Sequence, residues 1–199
     1  VIGFPFFCYL FSLENKMRVW SGHLDDGKTS ESVMRQLMAE PLFPVPVDIF
    51  TADIGFNDFS AGETLTPREG ITIRTTMLNH PQNATGYRIE FGGKSICYVT
   101  DTEHFEDGPD KNILGLIDGA DIVIYDSTFT DAEYPKYKTW GHSTWEEGAR
   151  LCAAANVGTF VIFHHAPERT DDDMDRIAAA AERMRPGSLV AREGETLRP

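Results

Sequence analysis

The chain has 199 residues, 41% of them hydrophobic and 25% charged, which is enough to bury a substantial core and excludes a disordered tract. Lys and Arg total 18 against 31 Asp and Glu, a formal charge of -13; this repels polyanions at long range and favours a small or medium substrate over nucleic acid. The three cysteines, Cys8, Cys97 and Cys152, are odd in number, sit in apolar surroundings and lack Cys-x-x-Cys spacing, so they read as buried free thiols of a reducing compartment, the cytoplasm.

Residues 1–11 are apolar but contain Gly3 and Pro5, have no basic stretch before them and stop short of the roughly 18 residues of a membrane span. They read as the middle of a core element, neither a signal peptide nor a membrane segment. Residues 17–20 suit a short strand, and Thr29-Ser30 opens a capped helix over 31–38 that Pro41, Pro44 and Pro46 end. Strand-forming runs follow at 71–78, 87–91 and 95–100, the last two joined by Gly92-Gly93, a two-residue hairpin turn. This half predicts an antiparallel meander. From residue 112 helices alternate with apolar strands: a helix near 113–117, a strand at 121–125, a helix at 144–155, a strand at 159–163 and a helix at 171–184. The alternation predicts an α/β fold with helices outside two sheets, and without a repeat or linker residues 1–199 are expected to form one domain.

Polar groups stand at the ends of these elements. His80 follows a strand run and precedes Pro81, so the strand ends there and presents the imidazole at a sheet edge, although on local grounds a plain loop histidine reads as well. Asp101 ends the apolar run Ile96-Cys-Tyr-Val-Thr, where a carboxylate must be paired, hydrogen-bonded or metal-bound; an Asx turn or a helix cap is the plainer alternative. His164 ends the strand at 159–163 in the same way. His165 beside it points to the opposite face if strand geometry persists, so only one of the two is expected to be a ligand. His142 precedes Ser143-x-x-Glu146, a capping-box pattern opening the next helix. It is either the residue before the cap or an imidazole beside free helix amides, able to protonate a leaving group. His23 and His104 lie in polar stretches and read as solvated loop residues, with His104 close enough to Asp101 to line a pocket. No Gly-x-Ser-x-Gly elbow, phosphate loop or activated cysteine is present, which leaves metal-assisted hydrolysis.

Leu78-Asn-His-Pro with Gly86-Tyr-Arg-Ile downstream, Tyr98-Val-Thr-Asp-Thr, Tyr125-Asp-Ser-Thr-Phe-Thr, Gly141-His-Ser-Thr and Phe163-His-His-Ala-Pro occur in this order and spacing. Together they resemble the metallo-β-lactamase-fold hydrolases, in particular the branch similar to ribonuclease Z and bacterial cyclic-nucleotide phosphodiesterase-like proteins. The resemblance covers nearly the whole chain and implies an αββα sandwich. It implies two zinc ions, with His80 binding one, His164 the other and Asp101 bridging them, and a bridging hydroxide as nucleophile. Manganese or iron suits the same donors. It implies that His142 orients or protonates the scissile group, while Asp126 and His165 support the ligands from behind. In that family a His-x-His-x-Asp-His motif normally precedes a segment like Ile2-Gly-Phe-Pro-Phe-Phe. The chain is therefore expected to start after that motif, without the first strands and four ligands, and to be weak or inactive where the full-length protein is active. The expected function is a zinc-dependent phosphodiesterase acting on a small phosphodiester. Transfer RNA 3′ processing and ester or lactone hydrolysis are variants on the same site, and a metal-free binding module is the alternative of another class. The resemblance also suggests a homodimer, and the short apolar opening predicts no membrane association.

Overall fold

Strand runs and capped helices of the sequence reappear in a computed structural model that describes residues 2–199. The chain divides into two compact units, one ending at Ser60 and the other covering Ala61–Pro199. In the first, β1 (Lys16–Ser21) pairs in parallel with β2 (Asp53–Asp58), with Val19 opposite Phe56. Helix α1 (Ser30–Leu37) starts at Thr29, whose side chain accepts from the Ser32 N–H while the Ser32 hydroxyl accepts from the Thr29 N–H, closing a capping box. Met34, Met38 and Val47 form its small core with Phe4, Phe43, Phe50 and Phe56 around them.

The opening apolar run is not the middle of a core element. It forms two 3₁₀ turns, Phe4–Phe6 and Cys8–Phe11, in which Leu10 is buried but Phe6 is 74% exposed and Phe11 48%. At three residues per turn, consecutive side chains point in three directions, so an unbroken aromatic run cannot bury all its rings on one side. Cys8 is exposed for the same reason, whereas Cys97 and Cys152 are buried as expected.

The second unit is built on one seven-stranded sheet in the order β3 (Thr64–Arg68), β4 (Ile71–Leu78), β5 (Ala84–Phe91), β6 (Lys94–Val99), β7 (Ile122–Asp126), β8 (Thr159–Phe163) and β9 (Leu189–Val190). The first four strands form the antiparallel meander. Gly92 and Gly93 turn its last hairpin with φ of 58° and 76°, left-handed values that a type I′ turn requires and glycine adopts without strain. From β6 onward the pairing is parallel, and parallel neighbours need crossovers. Helices α2 (Lys111–Ile117), α3 (Trp145–Ala154) and α4 (Asp171–Met184) lie in those crossovers. Their apolar faces pack on one side of the sheet: Ile113, Ile117, Leu151 and Ile177 meet Cys97, Val99, Val123, Tyr125, Phe160 and Ile162. A Cβ on Gly148 of α3 would lie 2.7 Å from ring atoms of both Phe160 and Tyr125, so only glycine admits this close approach.

β3 and β9 are absent from the sequence expectation. The first is an irregular edge strand containing Pro67 and the second has two residues, so neither shows the alternation that marks a strand. Among the described residues, no helix is long and apolar enough to cross a membrane.

Candidate metal centre

Because β6, β7 and β8 run parallel and in register, their C-terminal ends lie side by side, and the polar residues at or beyond those ends reach one edge of the sheet. Asp126 is the last residue of β7, and Asp101 and His164 follow β6 and β8. Asp101 and His164 both have φ of 61°, the left-handed region that costs a non-glycine residue about 1–3 kcal/mol and that clusters at functional sites. Two strand tips are thus bent in the same way to bring a carboxylate and an imidazole together, with Asp101 Oδ1 3.8 Å from His164 Nε2.

Asp126 lies beneath them with its side chain fully buried. A buried carboxylate must be satisfied, and this one is. Oδ2 accepts from the N–H groups of Asp101 (2.9 Å) and Thr102 (3.4 Å) and lies 2.9 Å from His142 Nδ1 and 3.4 Å from His164 Nδ1. Oδ1 accepts from the Thr128 N–H and hydroxyl and from the Ser143 N–H. Burial pushes this carboxyl up, but hydrogen bonds from His142 and His164 and their charge outweigh it and hold Asp126 at about 2. The same bond raises His164, with burial opposing. Tying Nδ1 of both rings to one carboxylate fixes their tautomer and leaves Nε2 of each to face outward.

Asp101, His142 and His164 each present a donor atom within 4.8 Å of the other two. One hard oxygen and two imidazole nitrogens, all half-buried, suit a divalent zinc, manganese or iron ion. His142, which the resemblance places as a catalytic group, therefore stands among the candidate donors. His80 stands beside them: its ring centroid is 6.1 Å from that of His142, and its Nδ1 accepts from the Gln82 N–H at 3.3 Å, leaving Nε2 free. His165 lines a separate cavity of about 570 Å³ with Pro167, Arg169 and Arg192.

Two local expectations change. Helix α3 is capped by Thr144, whose side chain accepts from the Glu147 N–H, in place of the Ser143 and Glu146 pattern. Ser143 is free for another task, and its hydroxyl accepts from the Tyr125 hydroxyl at 3.0 Å and lies 2.9 Å from His104 Nδ1. His104 is accordingly not a solvated loop residue: its ring lies 4.1 Å from that of Tyr134, tilted by 33°, and burial pushes its pKa down. His23 belongs to the first unit, half-buried, with Nδ1 enclosed. Thr128, whose N–H donates to Asp126 and whose hydroxyl lies 2.8 Å from both Asp126 Oδ1 and the His164 carbonyl, escaped sequence reading, although its place two residues after Asp126 is an Asx-type spacing.

Residues 22–165 match the profile of a family described as beta-lactamase superfamily domain. The chain is 27% identical over 143 residues to a ribonuclease Z of Haloferax volcanii, covering 71% of this chain and 41% of that protein. It is 24% identical over 189 residues to a ribonuclease Z of Parabacteroides distasonis, covering 94% and 55%. The chain thus spans about half the length of these curated relatives. Among solved structures it is similar to the metallo-beta-lactamase fold protein YhfI from Bacillus subtilis, with a TM-score of 0.64 and 16% identity over 90% of this chain and 64% of that one. It is also similar to Zn²⁺-bound PqqB from Methylobacterium extorquens, with a TM-score of 0.64 and 17% identity over 92% and 64%. At these identities the likeness shows the fold.

Proposed function

The chain belongs to the β-lactamase superfamily, and from that premise we propose that the protein is a metal-dependent hydrolase of phosphodiesters, with zinc as the metal. The observation that carries this reading is the convergence of Asp101, His142 and His164 over the buried Asp126. A divalent ion bound there supplies Lewis acidity toward a phosphoryl oxygen and a nucleophile at neutral pH. Asp101 and His164 would hold it, and His80 would contribute to a second ion. Asp126 keeps both Nδ1 atoms occupied, so His142 offers Nε2, where a proton can be held and given to the leaving oxygen. Phosphodiester chemistry is supported by the ribonuclease names of the curated relatives. A small substrate is supported by the charge of -13 and by the pairing of nearby cations: Arg169 with Glu133 and Lys138 with Glu106.

The test is turnover by the whole protein, with and without chelator, of bis(p-nitrophenyl) phosphate, a cyclic nucleotide and a precursor tRNA. Chelation is expected to abolish turnover and zinc to restore it, with the higher kcat/KM on a small diester; preference for the tRNA favours the ribonuclease reading suggested by the relatives' names. His142→Ala is expected to keep the metal stoichiometry and to lose about 10²–10⁴-fold in kcat. Loss of metal in that variant, measured by elemental analysis, makes His142 a ligand instead.

A further inference from the structure

We infer that Glu103 is the positioning residue that fixes His80 and His142 relative to Asp101. The candidate centre draws on separate stretches of chain at 79–80, 101–104 and 139–142. Glu103 belongs to the second and is bonded to both of the others. Its main chain pairs with the neighbour of His80: the Glu103 N–H donates to the Asn79 carbonyl at 2.8 Å, and Asn79 Nδ2 donates back to the Glu103 carbonyl at 2.9 Å. Its carboxylate holds the stretch before His142. Oε1 accepts from the Thr139 N–H and from the Tyr134 hydroxyl, and Oε2 accepts from the Gly141 N–H, each at 2.9 Å.

Main-chain N–H groups bound to an ionised carboxylate make stronger bonds than neutral pairs, and this loop needs them. Thr139 and Gly141 have φ of 73° and 83°, and for β-branched Thr139 the left-handed conformation persists only when its surroundings impose it. The two arms also meet. Gly141 is so close to the His80 ring that a Cβ on it would lie 2.3 Å from His80 Cδ2 and 2.7 Å from Pro81 Cδ. The carboxylate that sets Gly141 therefore sets one wall of His80, and the Asn79 pair sets its backbone. A residue that merely stabilised the 139–141 loop would need only the carboxylate arm; the main-chain arm couples that loop to His80.

The inference rests on the reading of Asp101, His142 and His164 as a metal centre, yet it predicts changes in metal-free protein. Glu103→Gln keeps the size but replaces one accepting oxygen by an NH₂ that can only donate. In nuclear magnetic resonance of the metal-free variant, exchange of the Thr139 or Gly141 amide is expected to speed up by about tenfold or more. The ring resonances of His80 and His142 are expected to shift, and those of His23 to stay. With Co²⁺ as the probe, affinity is expected to fall by about 10–100-fold. Unchanged amides and rings overturn the inference, and so do freed amides with unchanged rings and Co²⁺ affinity. If the wild type binds no Co²⁺, the metal reading fails, while ring shifts and exchange in metal-free protein still decide the role of Glu103. Should Glu103→Gln fail to fold, Asn79→Ser removes only the side-chain bond of the first arm. The His80 ring is then expected to shift while the Gly141 amide and the His142 ring stay; movement of all or of none overturns the inference.

Discussion

Asp101→Asn is expected to abolish metal-dependent turnover of the whole protein and to weaken metal binding by about 10²-fold or more, because it removes the only carboxylate among the converging donors. Asparagine is the informative replacement. The residue sits at φ 61°, and Asn is one of the few side chains that tolerate the left-handed region. The Asp101 N–H can therefore keep its bond to Asp126 while the side chain loses its charge. The side chain is 48% exposed, so stability should move by no more than about 0.5 kcal/mol. Loss of metal at constant stability separates a ligand from a structural residue. His23→Ala, in the first unit, is the matched control and should leave both quantities unchanged. Wild-type metal affinity in Asp101→Asn, measured by competition with a chromophoric chelator, means that the ligand assignment is wrong.

Much of this arrangement is legible in the sequence because it depends on short-range pattern. The strand Thr159–Phe163 and the helix Asp171–Met184 have the expected bounds: an apolar run flanked by polar residues fixes the first, and Thr170 capping a 3.6-residue period fixes the second. The polar residues that end apolar strands at Asp101 and His164 point to the candidate site for the same reason, since a parallel α/β sheet binds its ligands beyond its strand ends, whereas Asp126 is indicated only by the resemblance. What escapes is set by partners far along the chain. Ser143 looks like a cap until the Tyr125 hydroxyl is seen beside it, and Thr144 then takes the cap. Glu103 reads as one acidic loop residue among several, because its partners at Asn79 and Gly141 lie 24 and 38 residues away. The position of His142 among the donors is likewise fixed by its bond to Asp126, 16 residues before it.

Asp126→Asn is expected to have the widest effect of any single change. Seven groups converge on its two oxygens, and an amide can accept at only one of them, so buried N–H groups from Asp101, Thr102, Thr128 or Ser143 lose their acceptor. Turnover should vanish with the ring orientations, and the metal-free protein should lose stability as well. The pH dependence identifies the cause. Asp126 is held at about 2, below its ordinary 3.8. It therefore contributes stability that is fully present above about pH 4 and is lost as pH falls toward about 2, on the order of 2 kcal/mol. His164 is raised above its ordinary 6.5 by the same bond, so its contribution has the opposite sign, present below about pH 6.5 and lost as pH rises through the raised value. In metal-free protein the wild-type advantage over Asp126→Asn in urea midpoint should therefore be largest between these limits. It should shrink on the acid side as Asp126 takes up a proton and on the alkaline side as His164 gives one up. Parallel curves for the two proteins across the acid limb would show that Asp126 does not carry the charge around which both imidazoles are arranged.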